Sequence, residues 1–121
     1  MSLPILIARV YDPPGTWIGA CLLVDRLWPR GVTKAELPLE GWPRDLTPST
    51  ALRKWFHADP SQWEEFRQRY LDELAARPEA MADCLALCRR GPVTLLTAAR
   101  DRERNHAIVL RDHLLALLAG E

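Results

Sequence analysis

Lysine is scarce in these 121 residues: of 16 cationic side chains only Lys34 and Lys54 are lysine, leaving 14 arginines. Neither sign of charge is in excess, since 16 basic residues meet 16 acidic ones. No global field therefore argues for a nucleic acid or a membrane surface as partner. No apolar run comes near the roughly 20 residues of a membrane span, and residues 4–9 lack the charged leader and cleavage pattern of a signal peptide. A cytoplasmic, soluble protein is the expectation. Cys21, Cys84 and Cys88 are too few and too unevenly placed for a disulfide scaffold. Cys84 and Cys88 share a helix face at i and i+4, but no second pair completes four ligands, so no metal is expected. A Walker loop, a glycine fingerprint and a nucleophilic Ser or Cys motif are all missing, and no cofactor is expected either. There is no internal repeat, linker or low-complexity segment, and the length suits a single domain over residues 1–121.

What is present reads as strand, strand, several helices, strand, helix. Residues 4–11 form a first apolar run, broken by Asp12-Pro13-Pro14-Gly15, and residues 20–24 form a second. The link between them is shorter than a parallel crossover normally needs, which leaves the first strand's orientation open. Residues 32–46 have no sustained period and read as irregular, with one helical turn over residues 34–37. Thr47-Pro48 offers a hydroxyl cap before proline, followed by a Leu52, Trp55, Phe56 stripe. Asp59-Pro60-Ser61-Gln62 repeats the device ahead of Trp63, Phe66, Tyr70 and Leu74. A third helix runs from Pro78 through Met81, Leu85 and Cys88 to Arg89-Arg90-Gly91, where glycine offers a left-handed cap. A buried strand over residues 93–99 follows. Asp101 can then cap a last helix that turns Ala107, Leu110, Leu114, Leu117 and Leu118 inward and stops at Gly120. The class is α/β, in compact layers.

Two of these runs end in chemistry. The second strand leads into Asp25-Arg26-Leu27-Trp28-Pro29-Arg30-Gly31, and the last into Arg100, Asp101, Arg102, Glu103, Arg104, Asn105 and His106. In open α/β sheets ligands gather at the carboxyl ends of strands, where side chains and helix N-termini converge. If the two strands are parallel neighbours, both stretches share one rim. Asp25 then reads as a general base or an Arg-paired structural carboxylate, and His106 as a proton donor or a backbone-bonded structural residue. Arg26, Arg30 and Arg100 suit bidentate capture of phosphate or carboxylate, or ion pairs with Asp101 or Glu103. Trp28 can stack on a ring or wall a cleft.

Arg9-Val10-Tyr11-Asp12-Pro13-Pro14, Val24 to Gly31, Asp45-Leu46-Thr47-Pro48-Ser49, Leu52-Arg53-Lys54-Trp55-Phe56-His57 and Asn105-His106-Ala107 together resemble the YeaO-like branch of the domain of unknown function 488 family. The resemblance spans nearly the whole chain. It implies a small Rossmann-like three-layer domain, a short mostly parallel sheet flanked by helices, and no established activity. Wider members carry an Asp-x-Arg stretch after one strand and Cys-His-Arg at the start of the last helix. By that likeness Asp25 and His106 occupy shared positions and Asn105 stands at the Cys position, which argues against thiol chemistry. Arg104 replaces a common His, and a common Tyr is missing near Thr97.

The expectation is an arginine-rich pocket for an anionic small molecule, a nucleotide or phosphorylated metabolite. If it turns over, hydrolysis is the least committed reading, with Asp25 and His106 as acid and base, Arg26, Arg30 and Arg100 stabilising charge, Asn105 an orienting donor and Asp101 a ligand contact. The alternatives are a non-catalytic module for nucleic acid or protein, or a regulatory subunit using the aromatic helices between Pro48 and Leu74.

Overall fold

A computed structural model describes residues 4–121. Three strands, β1 (Ile5–Arg9), β2 (Ala20–Leu23) and β3 (Val93–Thr97), form one sheet in the order β1-β3-β2. Both pairings are parallel, with Ile7 opposite Leu95 on one side and Leu22 opposite Leu95 on the other. The first strand's orientation, open from sequence, is thus parallel. The short link after β1 does not join neighbouring strands, because β3 lies between them. As the central strand, β3 is buried at all five positions, as its uniformly apolar and threonine composition suits.

Alternation along the strands divides the interior in two. One sheet face, carrying Ile5, Leu22, Val93 and Leu95, packs against all four helices: α1 (Thr50–Ala58), α2 (Trp63–Ala75), α3 (Pro78–Arg90) and α4 (His106–Ala119). The other face, carrying Ala8, Val10, Cys21, Leu23 and Leu96, is covered by irregular chain bearing Trp17, Trp28, Val32, Leu37, Leu39 and Trp42. The three layers are therefore helices, sheet, and a tryptophan-rich coil. Burying each large apolar side chain stabilises the fold by about 1.5–3 kcal/mol. Trp28 and Trp42 meet edge to face with centroids 5.6 Å apart, and their indole N–H groups donate to the backbone carbonyls of Val32 and Asp25.

On the helical side Phe56, Phe66 and Tyr70 stack in sequence, at 4.3 Å and then 5.9 Å. Tyr70 is wholly buried and its hydroxyl donates to the Leu46 carbonyl. Burial pushes the phenol well above its usual range, so it remains a neutral donor. Trp55 and Trp63 are half-buried, with the Arg69 guanidinium 4.3 Å over the Trp55 ring.

Several helix starts differ from the sequence expectation. Ser49, not Thr47, caps α1 by accepting from the Leu52 N–H, while the Thr47 hydroxyl donates to the Arg44 carbonyl. Asp59 binds the Ser61 N–H and hydroxyl in a turn ahead of α2, and Gln62 at the cap position makes no side-chain cap bond. Asp101 likewise closes a turn, accepting from the N–H groups of Glu103 and Arg104, and Asn105 caps α4. Asx turns and N-caps use the same side-chain chemistry, so a carboxylate near a helix start fits either. Gly91 has φ 165°, extended rather than left-handed: the chain runs straight from α3 into β3. Leu117, expected inward, is exposed.

Candidate functional site

Parallel pairing places the ends of β2 and β3 side by side, and there Asp25 and His106 meet. The Asp25 Oδ1 atom lies 2.7 Å from the Thr97 hydroxyl and 2.8 Å from His106 Nε2, and Oδ2 accepts from the Ala98 N–H at 2.7 Å. A carboxylate only accepts, so Nε2 carries the proton that points at it. Asp25 thereby pins the last residue of β3, the bend after it and the first residue of α4. Its own backbone carbonyl receives the Trp42 indole N–H.

Burial alone would raise the Asp25 pKa. The His106 hydrogen bond and charge, the Ala98 N–H and the Thr97 hydroxyl outweigh it, and the carboxyl titrates below the ordinary aspartate value of 3.8. A depressed native pKa stabilises the fold above the unfolded value, and that contribution is lost as pH falls through the native one. The stability gap between the wild type and Asp25→Asn, measured by urea unfolding, is therefore expected to be full at neutral pH and to close as pH drops below 3.8. A gap that widened in acid would contradict the assignment.

Asn105, at the foot of α4, is buried. Its Oδ1 accepts from the Ile108 N–H and its Nδ2 donates to the Asp101 carbonyl, so both ends of the amide are engaged. His106, beside it, makes one ring hydrogen bond among the described residues, the one to Asp25. Its Nδ1 is left outside that pair, and the Tyr70 ring stands edge-on at 6.5 Å.

The arginines are placed differently. Arg26 turns toward the start of α1, its Nε 3.5 Å from the Pro48 carbonyl. There it lines a cleft of about 210 Å³ with Asp45, Ser49, Glu73 and Arg77. None of Arg30, Arg100, Asp101 or His106 lines that cleft. The α1 N-terminus beside it is already served by a carboxylate, since Glu73 accepts from the Ser49 N–H and hydroxyl. Arg30 and Arg100 are exposed and have no ion-pair partner among the described residues. Two side chains, Tyr11 and Arg9, run between the Arg30 carbonyl and the chain just before Arg100. The Tyr11 hydroxyl donates to the Arg30 carbonyl, the Arg9 guanidinium lies 5.2 Å from the Tyr11 ring centroid, and Arg9 also donates to the Ala98 and Ala99 carbonyls next to Arg100. Trp28, half-buried, walls the tryptophan layer behind this rim.

A family model described as the Inactive DUF488-N3 subclade matches residues 4–121. The chain belongs to that subclade. This member of the inactive DUF488-N3 subclade is 44% identical over 109 residues to the uncharacterized protein YeaO of Escherichia coli K12, covering 90% of this chain and 95% of YeaO. It is 40% identical over 106 residues to the uncharacterized protein Rv3073c of Mycobacterium tuberculosis H37Rv, covering 88% of this chain and 89% of Rv3073c. The uncharacterized protein Mb3100c of Mycobacterium bovis matches to the same extent. No solved structure matches the subclade member.

Sequence reasoning missed two partners of the subclade's Asp25: Thr97 and the Ala98 N–H. A hydroxyl on the last position of a buried strand, next to a strand that ends in aspartate, is the signal that marks them. Among the described residues no group of three or more His, Cys, Asp and Glu side chains could hold a metal.

Proposed function

We propose that the chain is a binding protein without turnover, which takes an anionic partner at the rim of the sheet and keeps Asp25 and His106 as a structural clip. The observation that supports this is the occupation of Asp25: three donors of the protein itself face its two oxygens. An acid or base with its oxygens so engaged has little left for a substrate proton. Asn105, which by the family resemblance stands at a Cys position, acts as a helix cap, and the description of the matching family as inactive accords with this. Arg30 and Arg100 supply exposed guanidiniums without an ion-pair partner among the described residues, suited to phosphate or carboxylate oxygens. The partner class is a nucleotide or phosphorylated metabolite, because zero net charge provides no long-range steering of polyanions.

Thermal unfolding in the presence of ADP, a sugar phosphate and citrate tests the proposal, since a ligand of the folded form raises the midpoint by mass action. At least one phosphate compound is expected to raise it, and the Arg30→Ala/Arg100→Ala variant to abolish the rise with its own midpoint unchanged. No phosphate or carboxylic ester is expected to be hydrolysed. Hydrolysis lost in a folded His106→Ala variant would overturn the non-catalytic reading, and flat midpoints would overturn the anion.

A further inference from the structure

The two outer edges of the sheet are treated differently. In parallel pairing alternate residues aim their N–H and C=O groups at opposite neighbours. On β2 the outward groups belong to Cys21 and Leu23, and one group of each is met: the Cys21 carbonyl receives the Glu40 N–H and the Leu23 N–H donates to the Gly41 carbonyl. On β1 the bonds from Val93 N–H to Pro4 and from Val10 N–H to Thr97 fix the even-numbered residues as facing β3. Ile5, Ile7 and Arg9 therefore face outward. Among the described residues only Arg9 has partners there, its N–H donating to Asp12 Oδ2 and its carbonyl receiving the Asp12 N–H. The backbone groups of Ile5 and Ile7 have no strand beside them among the described residues.

Along this edge runs a groove of about 280 Å³ between β1 and α4, floored by Ile5, Ile7 and Ile108 and flanked by Arg9, Arg102 and Arg111. No carboxylate lines it. At its far end the protein shows what fits: Asp12 takes the last outward N–H of the edge and binds the Arg102 guanidinium with both oxygens, at 2.7 and 3.2 Å. Among the described residues Arg111 pairs only with its chain neighbour Asp112, an exposed pair of little energetic weight.

We propose that β1 accepts a further strand from a partner protein, an extended segment alternating apolar and acidic residues. Its backbone completes the ladder at Ile5 and Ile7, and a carboxylate of it reaches Arg111, repeating the Asp12–Arg102 arrangement one step along the edge. Strand addition draws affinity from main-chain bonds and specificity from alternate side chains. A second copy of this chain fits worse, because β1 paired with β1 about a two-fold axis sets the arginines of one groove against those of the other. The proposal is independent of the anion rim, as Arg30 and Arg100 take no part in it.

Amide exchange at Ile5 and Ile7 in the full chain, followed by NMR, tests it with a blocked ten-residue peptide alternating valine and glutamate and with a valine–lysine counterpart. The glutamate peptide is expected to slow exchange at both amides at least tenfold, roughly the protection a new ladder bond gives in a locally opening edge. The lysine peptide is expected to leave it unchanged. Arg111→Glu, on the exposed side of α4, is expected to weaken the glutamate peptide about tenfold by charge reversal. Ile7→Pro is expected to abolish binding, since proline is tolerated on an edge but removes the outward donor. If Ile7→Pro does not fold, Arg111→Glu decides alone. Exchange unaffected by millimolar glutamate peptide overturns the proposal, as does equal protection by the lysine peptide. So does protection already present without peptide in a chain that sediments as a dimer.

Discussion

Asp25→Ala is expected to lower the unfolding free energy by about 3–4 kcal/mol, the scale of several buried donors left without an acceptor. The Thr97 hydroxyl, the Ala98 N–H and the His106 ring N–H would all lose their partner in a site where the Asp25 side chain is only 16% exposed. Asp25→Asn should cost less, about 1–2 kcal/mol, because only part of the network is lost. Its amide oxygen can serve the Ala98 N–H, while Thr97 turns its hydroxyl and His106 changes tautomer to accept from the amide nitrogen. Urea unfolding of both variants, with the slope checked for two-state behaviour, measures the difference. Two variants of nearly wild-type stability would show that Asp25 holds nothing together and would return it to candidacy as an acid or base.

Gly19→Ala is expected to be comparably damaging, at about 3–5 kcal/mol from left-handed backbone strain and a steric clash together. Gly19 has φ +69°, and a Cβ built there would stand 2.0 Å from the Pro92 carbonyl oxygen. That carbonyl receives the Ala20 N–H, and the Thr94 hydroxyl next to it both accepts from the Ile18 N–H and donates to the Ile18 carbonyl. The clash therefore falls where β2 is registered against β3, and neither backbone can retreat without breaking bonds. Gly31 is the control. Its φ is +73° but no atom lies within 4 Å of its Cβ position, so Gly31→Ala should cost only the conformational part, about 1–2 kcal/mol. Equal midpoints for the two variants would mean that the contact with Pro92 is not rigid.

The strands and helices were legible because their apolar spacing is regular. The 3.6-residue stripe through Trp63, Phe66, Tyr70 and Leu74 and the unbroken apolar run of β3 each fit one burial geometry. The helix starts were not, since Thr47, Asp59 and Asp101 each have the chemistry of a cap and are used in turns. Local hydrogen-bonding capacity does not say which of two nearby backbones will be met. The second face of the sheet was hidden for another reason. The segment that covers it has no period, and its tryptophans stand apart in sequence, so only the folded chain gathers Trp17, Trp28 and Trp42 against Leu23 and Leu96. At the site, strand ends and residue types pointed to Asp25 and His106, and their contact follows from β2 and β3 being neighbours. The direction taken by Arg26 depends on where α1 begins, which was the less legible part.

The strand order carries a consequence for how the molecule is made. Neither β1 nor β2 pairs with the other; β3 lies between them and is the strand each pairs with. While the ribosome is still extending the chain toward Val93, β1 has no ladder to join and β2 has only its bridge to Gly41, and their apolar faces must wait on a segment more than half the chain away. Contacts so distant in sequence close slowly, and unpaired strands exposed during synthesis invite misassembly. Nascent chains of this protein halted short of Val93 should therefore require a holding chaperone, and release from it should follow the emergence of Thr97 rather than the completion of any helix before it.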